Sequence, residues 1–223
     1  MNTELKNAVK ATDKDAQYDT SAKRLLGQKS ILAHILVKTV DEFKGMNPKD
    51  GLVRFDIVFY VRMKDGLSQI IINVEAQKDE PTGYEILNRA IFYVSRLISS
   101  QKERDFENSS YDDIKRVYSI WVCMNMDESS MSHVHLTKED LIGSYEWKGN
   151  LDLLNIIMLG LAKNLPEHDE TYELHRLLGA LLSKELTIDE KLNIIGNEYD
   201  IPIEENFRKD VSVMCNLSQG IKE

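Results

Sequence analysis

From residue 21 the apolar positions of the chain fall into a helical rhythm. Leu25, Leu26, Ile31, Leu32, Ile35, Leu36, Val40 and Phe43 recur three or four residues apart, the spacing that lines them along one stripe of a helix. This predicts a helix over 21–44, weakened near its start by Gly27 and stopped by Gly45 with Pro48 shortly after. Residues 1–20 are charged and carry no apolar period, and are expected to form a loose arm.

After Gly51 the period shortens. GLVRFDIVFYVR (51–62) and SQIIINVEAQ (68–77) are rich in β-branched and aromatic residues, and KDG at 64–66 lies between them. Two such runs joined by an Asp-Gly loop predict a β-hairpin. The chain turns helical again from Tyr84 to about Lys102, then becomes a third strand over Arg116–Asn125 (RVYSIWVCMN). HVHL (133–136) reads as a short edge strand. LDLLNIIMLGLA (151–162) is almost wholly apolar, which fits a buried strand or a buried helix. The strand reading is preferred, running to about Leu159.

Beyond Pro166 the pattern is helical. One helix is expected over Asp169–Ser183. A second starts at Thr187, with Glu190 three residues on as in a capping box, and a third starts near Pro202. The last residues, LSQGIKE, bring no cap or terminator, as at a point inside a longer protein. The expectation is an α/β fold with a mixed sheet flanked by helices and a C-terminal helical extension. The units read as an arm (1–20), a core (21–165) and the extension (166–223).

Size and composition agree with one sizeable α/β domain: 223 residues, 42% hydrophobic and 29% charged. No apolar run approaches the roughly 20 residues that span a bilayer, and the polar N-terminus lacks the apolar stretch of a secretory signal. A cytoplasmic protein without a membrane role is expected. Cys123 and Cys215 cannot make a disulfide framework and read as buried thiols. The formal net charge of −9 argues against coating nucleic acid through a general positive field. It leaves room for a local nucleic-acid contact beside a carboxylate-rich metal cleft.

Chemistry concentrates at three polar residues inside apolar runs. Asp56 interrupts RF-D-IVFYV, Glu75 interrupts IIINV-E-AQ, and Gln77 follows two positions later. Strand neighbours two apart share a face, so Glu75 and Gln77 point the same way. Asp56 lies on the partner strand of the same hairpin. Carboxylates brought together repel unless a cation lies between them, and burying them without partners is costly. A hard divalent cation, Mg²⁺ first, resolves both problems, and a water on it becomes a nucleophile. On the following helix Arg89, Tyr93 and Arg96 line one face and are candidates for phosphate contact. His133 and His135 alternate like strand neighbours but lack further ligands for zinc. Trp121 and Tyr118 read as core.

These residues resemble a known family. RFD followed by NVEAQ, with an acid-bearing helix before and a helix with Arg and Tyr after, is similar to the PD-(D/E)xK nuclease superfamily. More narrowly, INVEAQKDEPTGYEILNRAIFYVSRLISSQ, YDDIKRVYSIWVCMN and LDLLNIIMLGLAKNLPEHDETYELHRLLGALLS resemble the PD-(D/E)xK nuclease family transposases, related to the recombination-promoting nucleases. The likeness runs over nearly the whole chain from about Asp13. It implies a restriction-endonuclease-like sheet and a metal-dependent DNA endonuclease, with Mg²⁺ or Mn²⁺ as cofactor and DNA as partner. By the same resemblance Asp56 and Glu75 are the metal-binding acids, Gln77 is the third catalytic position, and Asp19, Asp41 or Glu42 supplies a first-helix acid. Most of the superfamily carries Lys where this chain has Gln77. A Gln amide orients water but brings no charge, so a nearby cation is expected to replace the Lys. Lys78 should face the other side of the strand, which leaves Arg89. The rival readings are a nuclease fold with weak or lost catalysis that binds DNA, and a homodimeric interaction module.

Overall fold

The computed structural model describes residues 16–43, 59–62, 69–102 and 105–219. Helix α1 (16–26) and helix α2 (Lys29–Thr39) are followed by a 3₁₀ turn at Asp41–Phe43. Then come β1 (Phe59–Arg62), β2 (Gln69–Gln77), α3 (Ile86–Ser99), β3 (Arg116–Met126), β4 (Ser130–His135) and β5 (Leu154–Ala162). Three helices close the described chain: α4 (Glu173–Leu182), α5 (Ile188–Tyr199) and α6 (Glu205–Gln219).

The strands form one mixed sheet in the order β1-β2-β3-β5-β4. β1 and β2 are antiparallel, with Phe59 opposite Ile72 and Arg62 opposite Gln69, as the hairpin pattern requires. β2, β3 and β5 run parallel, and β4 closes the far edge antiparallel to β5. The apolar run at 151–162 is therefore a strand. It begins at Leu154 and ends at Ala162, and its buried positions fall on both faces, as expected of a parallel strand covered on each side.

Alternation sorts the sheet into two faces. Ile70, Ile72 and Ala76 of β2, with Tyr118, Ile120 and Val122 of β3, join a large core that also holds Leu25, Leu32, Leu36, Leu178 and Val211. Ile71, Val117, Trp121 and Cys123 face the other way, against Ala90 and Val94 of α3. Asn73, Glu75 and Gln77 share the parity of Ile71. Tyr118, Trp121, Cys123 and Cys215 are buried, as expected from sequence.

The N-terminal pattern is corrected in two places. Residues 16–20, assigned by composition to the arm, are helical, and Tyr18 is almost wholly buried. The single helix expected over 21–44 is two helices, broken at Gly27 and Gln28. Gln28 adopts an extended backbone ahead of α2, and its amide donates to Asp210 Oδ2 at 2.7 Å while Arg24 reaches Asp210 Oδ1 at 3.0 Å. Asp210 is buried on α6. The break thus lets both N-terminal helices satisfy one buried carboxylate, whose desolvation would otherwise be costly. At the other end, Thr187 and Glu190 form the capping box expected there.

Candidate functional site

β2 is a nine-residue strand with three polar side chains on one face near its C-terminal end. In the register of the sheet, Asn73 lies beside Ser119, Glu75 beside Trp121 and Gln77 beside Cys123. The Ser119 hydroxyl accepts from Trp121 Nε1 at 2.9 Å, which fixes the indole under the polar row. Glu75 is mostly covered, with 17% of its side chain exposed.

The cation on Glu75 comes from α1. Lys23 Nζ lies 2.8 Å from Glu75 Oε2 and 3.2 Å from Asp19 Oδ2 one helical turn earlier. The ammonium therefore sits between two carboxylates from different elements, while Glu75 Oε1 takes a longer contact of 3.4 Å from Asn73 Nδ2. Burial works against the charged lysine. Hydrogen bonding and charge from Glu75, with Asp19 adding to them, outweigh it and hold the pKa above the ordinary lysine value. The sequence reading missed Lys23. Its only trace there is the i, i+4 pair with Asp19, which is commonplace on helices.

Gln77 is held at both ends of its amide. Its Nε2 donates to the Asp79 carbonyl at 2.7 Å, and its Oε1 lies 3.4 Å from Arg89 Nη1. Arg89 donates to the Tyr84 hydroxyl at 2.8 Å, and its guanidinium stands over the rings of Tyr93 and Trp121 at 5.2 and 5.4 Å. Burial disfavours the Arg89 charge, but the Tyr93 and Tyr84 hydroxyls more than offset it, and its pKa is raised. Arg89 and Tyr93 thus join Gln77 at the site. Arg96 lies over the exposed Phe92 ring, at 5.8 Å from its centroid.

Lys78 faces the opposite way from Gln77, with its ammonium 5.4 Å from the Tyr18 ring centre, as alternation requires. Two cations therefore flank the polar row, Lys23 on Glu75 and Arg89 on Gln77. Of the first-helix acids, Asp19 is brought to Glu75 through Lys23, and Asp41 is exposed in the 3₁₀ turn. The Glu42 side chain and all of Asp56 lie outside the described residues. His133 and His135 stand on the edge strand with ring centres 4.7 Å apart, and His133 Nε2 is bonded to Asn155 Oδ1 at 2.8 Å. Among the described residues no three His, Cys, Asp or Glu side chains gather as a metal-ligand group.

No described helix is long and apolar enough to cross a membrane. The model of one protein family, described as PD-(D/E)XK nuclease family transposase, matches residues 23–193. No curated protein and no solved structure matches the chain.

Proposed function

The chain belongs to the PD-(D/E)XK nuclease family transposases, and from that membership we propose that it is a metal-dependent DNA endonuclease that hydrolyses phosphodiester bonds at Glu75 and Gln77. The observation that carries this reading is the polar row of β2. A mostly covered carboxylate with a cation already on it stands two positions from an amide pinned on both sides. A solvent-facing strand would need neither arrangement.

The donor set suits a hard divalent cation. Glu75 offers a carboxylate, and the neighbouring donors on this face, the Asn73 and Gln77 amides, are also oxygen ligands. Asp56 is the second acid of the proposal, on sequence grounds. Asp56 and Glu75 would hold Mg²⁺, with Mn²⁺ as the substitute. Such an ion supplies charge neutralisation at the phosphate and acidifies a bound water.

The chain's own residues do the rest. Gln77 Oε1 accepts a hydrogen bond from the attacking water and orients it. The water oxygen forms the new bond to phosphorus as one bridging oxygen leaves, the water giving a proton to solvent and the leaving oxygen taking one from it. Lys23 supplies the positive charge that an amide at position 77 lacks. Asp19 keeps that ammonium at Glu75. Arg89, braced by Tyr84 and Tyr93, offers its remaining N–H groups to a phosphate oxygen.

Plasmid nicking tests the proposal. Supercoiled DNA should be cut with Mg²⁺ or Mn²⁺ and left intact with EDTA. Glu75→Ala and Asp56→Ala should each abolish cutting while the protein stays folded by circular dichroism. Undiminished cutting by either variant sinks the assignment. No cutting by a folded wild-type protein that still binds DNA would favour the rival reading, a DNA-binding protein that has lost catalysis.

A further inference from the structure

A second polar feature begins where the β2 row ends. Asn125, at the C-terminal end of β3, has a left-handed backbone with φ of 60°. Its amide donates to the Lys78 carbonyl and to Asp79 Oδ1, both at 2.8 Å. Asp79 is also the acceptor for Gln77. Asn125 therefore ties the candidate site to whatever lies behind it, and it lines a cavity of about 280 Å³ there. This cavity opens between α1, the ends of β3 and β5, and the end of α4. It is two-sided in chemistry. Leu161, Leu165 and Leu182 form an apolar floor, while Lys163 and Lys184 stand at the rim against one acid, Glu185.

Both rim cations are available to a ligand. Lys163 pairs only loosely with Asp127, at 3.4 Å and with both side chains mostly exposed, so the pair gives way at little cost. Lys184 makes no ion pair with a described residue and lies 5.8 Å from the Tyr18 ring centre. Lys78 approaches the same ring from its own side at 5.4 Å. Ser183 Oγ accepts from two backbone N–H groups, Glu185 and Leu186, and keeps its own proton to donate. A second, smaller cavity of about 90 Å³ borders Gln77, which the larger one does not, but Asp79 and Glu80 are on its wall. Those carboxylates disfavour a phosphate there.

We propose that the larger cavity is a nucleotide subsite. It takes one nucleotide of a single nucleic-acid strand, an inference that rests on the nuclease reading for the identity of that strand. The phosphate of the captured nucleotide meets Lys163, Lys184 and the Ser183 hydroxyl. Its base lies over the leucine floor. The floor has no array of fixed donors and acceptors, so the capture is independent of sequence and works through charge and apolar contact. A chain of overall negative charge thus gains a local basic pocket.

The test uses the full chain in EDTA, so that binding is read without cleavage. The probe is a fluorescein-labelled oligothymidylate followed by fluorescence anisotropy. Wild type should bind it. The Lys163→Glu/Lys184→Glu pair should weaken binding at least about tenfold and flatten the salt dependence of log K by about 1.4, the loss of two phosphate contacts on a single strand. If charge reversal unfolds the chain, Lys163→Gln/Lys184→Gln reads the same loss, and Lys163→Arg/Lys184→Arg should keep binding. Thymidine monophosphate should displace the probe at lower concentration than inorganic phosphate, because phosphate leaves the floor empty. No binding by wild type, charge-changed variants within about twofold of wild type, or equal displacement by the two competitors would each overturn the proposal. A lysine-dependent subsite in a protein that never nicks plasmid would remove the nuclease reading and leave the subsite standing.

Discussion

Replacing Lys23 by Met asks what the ammonium does at Glu75. The pair is short, at 2.8 Å, but 39% of the lysine side chain is exposed, and a pair this accessible to water contributes about 0.5–1 kcal/mol. Met keeps the length of the stem. Folding stability should therefore fall by no more than about 1 kcal/mol, a shift of about 2–4 °C in Tm for a chain of this size. Metal binding should move the other way. A divalent ion at Glu75 must share or displace the ammonium, and deleting a competitor of that strength tightens binding about two- to fivefold. Catalysis should suffer, because a positive charge fixed beside the reacting phosphate is lost, and one such group is worth about 10²–10³ in rate. Mn²⁺ titration followed by electron paramagnetic resonance reads the affinity, and single-turnover nicking at saturating Mn²⁺ reads the rate. The signature is opposite movement of the two. Unchanged Mn²⁺ affinity together with undiminished nicking would refute both roles given to Lys23, leaving it an ordinary surface ion pair.

Two further outcomes follow from the fold itself. Thr187→Ala removes the hydroxyl that accepts from the Glu190 N–H at 3.3 Å and the partner of the Glu190 carboxylate at 2.7 Å. The lost cap should cost about 1 kcal/mol, read by thermal unfolding. Because Thr187 holds the Glu190 carboxyl below its usual range, the difference between wild type and variant should be full at neutral pH and shrink as the pH falls through the depressed pKa; a difference that grows on acidification would contradict the capping box. Cys123 should resist a thiol reagent at neutral pH, since burial and the nearby Glu80 charge push its pKa up to about 11. Fast labelling of the folded protein at pH 7 would show that the face between β3 and α3 opens readily.

Much of this was legible because the sheet obeys simple alternation. Polar residues inside the apolar run of β2 had to share a face, and Glu75 and Gln77 do. The apolar run around Leu159 resolved into a strand, since β-branched Ile156 and Ile157 pair well between two covered faces. What stayed hidden was geometry that links elements far apart in the chain. Lys23 looks like any solvated helix lysine, and its contact with Glu75 depends on how α1 crosses the sheet. The helical turn at 16–20 was hidden for a related reason. Its one large anchor, Tyr18, sits among charged neighbours, and a single apolar residue per turn makes no period. The break at Gly27 could be seen as a weak point, but its cause is Asp210, near the other end of the chain.

The Tyr18 hydroxyl donates to the carbonyl of Leu182, across a separation of 164 residues, and contacts Met124 Sδ across 106. This has a consequence for synthesis on the ribosome. The helix that brings Asp19 and Lys23 is made long before α4, yet its seat is finished only when α4 emerges. At about 5–20 residues per second, the wait is on the order of ten to thirty seconds. During that interval Glu75 has been made, but the helix that sets Lys23 on it lacks its contact with α4. A site assembled from such distant segments stays incomplete until α4 has been made.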